Sequence, residues 1–182
     1  MSRTDARIRY TQGVLKQALL SFLQEKPINK ITVKEVCERA ELNRATFYAH
    51  YSDCFALLES IEEDLLEAFR QSLKLVDSFD VTALIEAIYT MIEQQQEACR
   101  VLIFQNACPN VLRRMISLAR DESISYWKRH LHHITDAELE MLYTHLSNGL
   151  MHVVVEGYEK YSREEVVRFV NRIVQCSLSQ FQ

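Results

Sequence analysis

Residues 31–58 read ITVKEVCERAELNRATFYAHYSDCFALL. Val33, Val36, Cys37 and Ala40 recur at spacings of three and four, which places them on one helix face. Thr32 and Glu35 have the S/T-x-x-E spacing of a capping box, so this helix starts at Val33. Asn43 is a good N-cap for a second helix, from Arg44 to about Ala49. Only about three residues separate the two. Two short helices joined this tightly predict a helix-turn-helix, whose second helix lies in the DNA major groove. That second helix carries Arg44, Thr46, Tyr48 and His50. Phe47 and the following Tyr51 are expected to pack into the core.

The block TFYAHY at 46–51 is followed by Ser52, Asp53 and the pair Leu57 and Leu58 at the opening of a long helix. This arrangement resembles the TetR/AcrR family of bacterial transcription regulators over roughly the first 60 residues. The closing stretch SNGLMHVVVEGYEKYSREEVVRFV, residues 147–170, looks like the C-terminal domain type common in Firmicutes members. The resemblance implies that Arg44 and Thr46 contact bases or nearby phosphates, and that Tyr48 and His50 contact phosphate. Thr32 is expected to cap its helix, with phosphate contact as a second role; Arg3 and Arg7 are candidates for flanking contacts. The chain departs from the family at two places. Turns of this kind commonly hold Gly where Glu41 stands, and a left-handed Glu41 costs about 1–2 kcal/mol. Cys54 stands where the family often has Lys. A thiol there has two readings, a helix N-terminus that favours thiolate or an inert, partly buried side chain.

Gly 3 and Pro 2 are very few for 182 residues, which argues for helices with compact connections rather than turn-rich sheet. No run of about 18 apolar residues predicts a membrane span, and MSRTDARIRY lacks a signal-peptide core. The five cysteines include no C-x-x-C, which suits reduced thiols and a cytoplasmic setting. The net charge of −4 is unevenly spread. Residues 1–52 hold nine Lys/Arg against five Asp/Glu, a balance of +4; the remainder balances at −8. Salt screens exposed charges beyond roughly 8 Å, so a basic head on an acidic body still attracts phosphate locally.

The pattern predicts an all-α chain of about nine helices. A head at 1–52 precedes a ligand-binding and dimerisation body at 53–182. Helix 1 is expected from Thr4 to Glu25, with Ile8, Leu15, Ala18, Leu19 and Phe22 as its core stripe. Helix 4 is expected from a Ser52 cap to about Val76, carrying Phe55, Leu58, Ile61, Leu65 and Phe69. Asp77–Asp80 reads as a hinge whose last residue caps helix 5. Further helices are expected at about 98–106, from Pro109 to about His133, from Thr135 to about Lys160, and from Ser162 onward. The last two begin in capping boxes, Thr135 with Glu138 and Ser162 with Glu165.

No catalytic signature is present, so no enzyme, cofactor or metal site is expected. His130 and His133 share a helix face, but a solvated helix end explains them without a metal. Tyr89, Phe104, Tyr126, Trp127, Asn148, Met151 and His152 lie on helices that line a cavity in the family, and are the candidate pocket for an unknown small-molecule ligand. Leu142, Leu146, Gly149 and Val153 form one stripe, and Val166, Val170, Ile173 and Val174 another. Both are candidates for a homodimer interface, or for the protomer's own core. The expectation is a repressor that binds a double-stranded DNA operator and is released by a small molecule. The alternative is a co-regulator of the same fold, acting through a protein partner with little specific DNA binding.

Overall fold

Hydroxyl and carboxamide side chains decide where the helices begin. In the computed structural model, which describes residues 3–74, 81–105 and 108–181, all three capping boxes form. Thr32, Thr135 and Ser162 each accept from the backbone N–H of the glutamate three residues on, and that glutamate accepts from the cap N–H in return. Asn43 Oδ1 accepts from Thr46 N at 2.8 Å. Helix 4 is capped one residue later than the sequence suggests: Asp53 Oδ1, rather than Ser52, accepts from Ala56 N at 2.8 Å.

Nine α-helices and no strand occur among the described residues. They are α1 (Arg3–Leu23), α2 (Val33–Arg39), α3 (Arg44–Tyr48), α4 (Cys54–Lys74), α5 (Val81–Gln94), α6 (Gln96–Cys99), α7 (Pro109–His130), α8 (Asp136–Gly157) and α9 (Arg163–Leu178). A 3-10 turn spans Ile28–Lys30, a π-helical turn, Arg100–Phe104, continues α6, and a 3-10 turn, Ser179–Phe181, follows α9. The expected hinge at 77–80 and its Asp80 cap lie outside the described residues. Two helices stop earlier than their periodicity predicts. After α7 the chain turns at left-handed His133, φ 56°, and His132 N–H donates to Phe181 O at 2.5 Å. After α8, Lys160 and Tyr161 N–H both turn back onto the Gly157 carbonyl, at 3.0 and 2.9 Å.

By internal packing the chain divides into two units, Met1–Leu65 with Glu97–Cys108, and Leu66–Gln96 with Pro109–Gln182. The division falls inside α4. In the first unit Leu15, Leu19, Val36, Phe47, Leu57 and Leu65 are fully buried. Arg39 ties α2 to α1, donating to Ser21 Oγ at 2.9 Å and lying over the Phe22 ring at 4.3 Å. Lys16 ties α1 to α4 through Asp64 at 2.5 Å. Ile8 and Phe55 are exposed, against the core positions expected of them. Residues 5–10 of α1 are exposed throughout, so the stripe leaves the core before it reaches Ile8. On α4 the buried register is Cys54, Leu57, Leu58, Ile61 and Leu65, and Phe55 lies about 100° off it.

The α2–α3 turn closes on Glu41 at φ 54°. Leu42 N–H donates to Cys37 O at 2.9 Å and Glu41 N–H to Glu38 O at 3.3 Å, the paired bonds of a Schellman cap. A position that usually takes Gly is therefore held by Glu in the same backbone state.

In the second unit α7 packs on α8, and α9 packs on both α5 and α8. Tyr143 on α8 donates to the Ile116 carbonyl of α7 at 2.5 Å, and Arg120 pairs with Glu140 across the same helices. Arg163, in the first turn of α9, reaches α5. It donates to the Glu86 carbonyl at 2.8 Å, pairs with the Glu86 carboxylate, and lies 5.1 Å from the Tyr89 ring centre. Asn171 adds a second tie, donating to Thr82 Oγ1 at 3.1 Å.

Replacing Glu41 by Gly relieves the left-handed strain while adding chain freedom in the unfolded state, so the net gain is about 0.5–1 kcal/mol. Chemical denaturation followed by circular dichroism measures it; a destabilised Glu41→Gly protein would contradict this account of the turn. A second expectation concerns acid. The Lys26 ammonium at 2.6 Å, with the Thr32 cap, holds the Glu35 carboxyl down at about 2 from its ordinary 4.5. A depressed carboxylate stabilises above its unfolded value, so this contribution is present above about 4.5 and is lost as pH falls toward about 2. Glu35→Gln should flatten that part of the acid limb, read by amide exchange of α2 against pH.

Candidate nucleic-acid interface and internal cavity

Phe47 anchors α3 to the head while its neighbours stay outside. Its side chain is fully buried, with Tyr48 edge-on at 5.6 Å and Tyr51 at 6.0 Å. Tyr51 is buried with it, as the sequence leads one to expect. Burial of Phe47 turns Arg44 and Tyr48 outward; Tyr48 is 56% exposed. The Arg44 guanidinium forms no salt bridge among the described residues, which leaves its donors available. Thr46 is half-buried and its hydroxyl bonds Asn43 Oδ1 at 3.0 Å, so part of its hydrogen-bonding capacity serves the cap. His50 lies just past α3, half-buried, its ring 6.3 Å from Tyr51. Thr32 is exposed, but its hydroxyl is engaged with Glu35. Arg7 is exposed, and the Arg3 side chain lies outside the described residues.

The structure decides between the two readings of Cys54. Its thiol is buried, and burial pushes it up to about 11, with the Asp53 carboxylate acting in the same direction. Cys37 is also buried and raised by burial, against the opposing pull of Arg44. Neither thiol is poised as a thiolate.

The body holds an apolar, half-open cavity of about 70 Å³. Phe69, Leu84, Ile88, Trp127, Leu150 and Met151 supply much of its apolar wall, and among the described residues no charged side chain lines it. A second chamber, about 250 Å³, is bordered by Tyr126, His130 and Gln175 and shares Val81, Trp127 and Val174 with the first. Three hydroxyl groups face the inner cavity. Ser123 donates to the Ala119 carbonyl at 2.6 Å, and Tyr143 donates to Ile116 as described. Burial pushes the Tyr143 phenol up to about 12, outweighing the opposing effects of Ser147, Arg120 and Ser123, so it remains a donor at neutral pH. Ser147 sits beside that phenol and lowers it as a hydrogen-bonding neighbour, but its buried hydroxyl meets no partner at full hydrogen-bond distance and angle. An unsatisfied buried hydroxyl costs roughly 1–3 kcal/mol.

Of the seven residues selected as a pocket, Trp127 and Met151 line the inner cavity and Tyr126 the second chamber. The other four are placed elsewhere. Tyr89 is buried under Arg163 and beside Tyr158, at 5.4 Å. Phe104 belongs to the first unit. Asn148 and His152 are exposed and bond carbonyls one turn back on α8, Thr144 and Asn148, at 2.8 Å each. His130 stacks on Tyr126 at 4.0 Å, and its Nδ1 engages the Tyr126 carbonyl. Sequence spacing gave no sign of Ser123, Tyr143 and Ser147 as the polar side of the cavity. Their common feature, an i, i+4 pair on α8 facing a serine on α7, requires the packing to be seen.

The two apolar stripes divide in the same way. Leu146, Val166, Val170 and Val174 are buried within the protomer. Gly149 and Ile173 are exposed, and Leu142 and Val153 are half-buried. Gly149, Val153 and Ile173 line a groove between α8 and α9 together with exposed Phe169, which sequence periodicity did not single out. A Cβ at Gly149 would meet nothing within 4 Å.

No family model matches the chain. A 62-residue stretch, 34% of the chain, is 37% identical to an uncharacterized HTH-type transcriptional regulator, YxbF, of Bacillus subtilis (strain 168), and the match spans only 16% of that protein's length. The fold is similar to that of a TetR transcriptional regulator from Streptococcus agalactiae 2603V, with a TM-score of 0.68 and 24% identity over 94% of this chain and 97% of the other. It is also similar to the dihydroxyacetone kinase operon activator DhaS, with a TM-score of 0.55 and 17% identity over 94% and 98%. No helix among the described residues is long and apolar enough to cross a membrane. The fold is TetR-like: all-α among the described residues, with a helix-turn-helix in the first unit and packed helices in the second.

Proposed function

We propose that this chain is a cytoplasmic, homodimeric transcriptional regulator that binds a double-stranded DNA operator and is released from it by a small molecule. The observation that carries the reading is α3 itself. Its start is set by the Asn43 cap and its approach by the Schellman turn at Glu41, while buried Phe47 orients it. Arg44 and Tyr48 then project from a rigid element, as base and phosphate contacts require. The basic balance of residues 1–52 supports the same face.

Homodimerisation draws support from the groove of α8 and α9, where Phe169 and Ile173 stand exposed one turn apart beside Gly149. Two such helix pairs bury these side chains as a four-helix bundle, and two heads combine their affinities for paired half-sites. Regulation draws support from shared walls: Leu146, Leu150 and Val174 border both the inner cavity and the groove. A ligand in the cavity pushes on the dimer surface, and linkage makes ligand and operator mutually antagonistic if they favour different spacings of the heads. Repression is the sign adopted here; a structural neighbour is named an operon activator, so the sign is read directly from transcription with and without the protein.

The co-regulator alternative rests on Cys54, buried and uncharged where family members often have Lys. It draws nothing from Glu41, because that turn closes with both of its hydrogen bonds. Absence of specific binding in gel shifts with genomic fragments would favour it.

Fluorescence anisotropy on a selected operator and on random DNA separates the roles of α3. Tyr48→Ala should weaken both alike, and Arg44→Ala should cost about 1–3 kcal/mol on the operator and less on random DNA. An unchanged operator-to-random ratio for Arg44→Ala excludes base reading. Gly149→Leu tests the dimer without disturbing the protomer, since the added side chain meets open space and Leu is the better helix former. Sedimentation should show weakened dimers with an unaltered circular dichroism spectrum; a monomeric wild type at micromolar concentration removes the dimer from the model.

A further inference from the structure

The effector cavity is built for a narrow class of ligand. Among the described residues no Asp, Glu, Lys or Arg lines either chamber, and the imidazole that does, His130, already engages the Tyr126 carbonyl. A charge placed there loses its hydration without gaining a counter-ion, which strongly disfavours it. A purely apolar ligand fills the space but leaves the Ser147 hydroxyl as it is, buried and unpartnered. Ser147 does not donate back to its own helix, as buried helical serines often do and as Ser123 does on α7. The inner cavity, at about 70 Å³, is small, but Val81, Trp127 and Val174 are common to it and to the larger chamber. An elongated molecule reaching from one to the other would pass Trp127.

We propose that the body binds an uncharged, elongated, mainly apolar molecule with a single hydrogen-bonding group, which meets Ser147 while the apolar remainder runs past Trp127 into the adjoining chamber. This rests on the reading of the body as the effector-binding unit. The hydroxyls of Ser123 and Tyr143 are committed to carbonyls, so Ser147 is the hydroxyl of the three left to select the ligand. Trp127, the only tryptophan, lines both chambers and reports occupancy of either.

The test uses the full chain and four probes: 1-octanol, octanoate, n-octylammonium and toluene. Octanol should change Trp127 emission saturably and raise the melting temperature, and both ions should bind at least about tenfold more weakly. Ser147→Ala should weaken octanol by about three- to tenfold and leave toluene, which has no hydrogen-bonding group, unaffected. Ala119→Leu fills the inner cavity and should abolish octanol binding; Leu150→Phe serves should that variant fail to fold. Equal binding of either ion, the absence of a saturable octanol response, or an octanol affinity indifferent to Ser147→Ala and to filling overturns the proposal. Operator affinity is measured by anisotropy on the same samples. Octanol bound as described, with DNA affinity unchanged, supports this ligand class and overturns the effector role instead.

Discussion

The constraint on which the rest of this structure depends is the satisfaction of helix N-termini by side chains. With Gly 3 and Pro 2 in 182 residues, the chain has few residues that break a helix by backbone preference alone. Five starts are marked instead by Thr32, Asn43, Asp53, Thr135 and Ser162, each accepting from a backbone N–H three residues on. Such a cap contributes roughly 1 kcal/mol. Its larger consequence here is positional, because a helix that begins one residue later presents a face rotated by about 100°. In the head this decides whether Phe47 or Tyr48 faces inward.

The same logic operates in the body with charge added. The Ser162 cap starts α9, and the next residue, Arg163, grips α5 through the Glu86 carbonyl and carboxylate. Being partly exposed, the ion pair contributes little on its own. Its effect is to fix the rotation of α9 at its first turn. Val166, Val170 and Val174 then face inward, and Phe169 and Ile173 are left on the surface. One arginine thus helps to separate the protomer core from the exposed groove of α8 and α9.

Much of the fold was legible in the residues. The α2–α3 turn, its left-handed Glu41, the capping boxes and the burial of Phe47 and Tyr51 all follow from local rules, since each depends on groups a few residues apart. The surfaces were less legible. Ile8 keeps the register of the α1 stripe but lies on its exposed first turns, and Phe55 is apolar but off the buried register of α4. Periodicity states which residues share a face; it does not state what that face meets.

The same distinction separates the two candidate sites. The residues of α3 could be named from the sequence because a helix-turn-helix is a local object, in which cap, turn and core anchor lie within about twenty residues of one another. The cavity could not be named in this way. Trp127 and Met151 reach it, but Tyr89 is held by Arg163, while Asn148 and His152 point outward from α8. Its polar lining, Ser123, Tyr143 and Ser147, arises only where α7 and α8 pack together. The sequence alone marked the starts at Thr32, Asn43, Thr135 and Ser162 and the side chains α3 offers. The tertiary structure decided which apolar faces became core, cavity and groove, because burial is a property of the neighbour as much as of the residue.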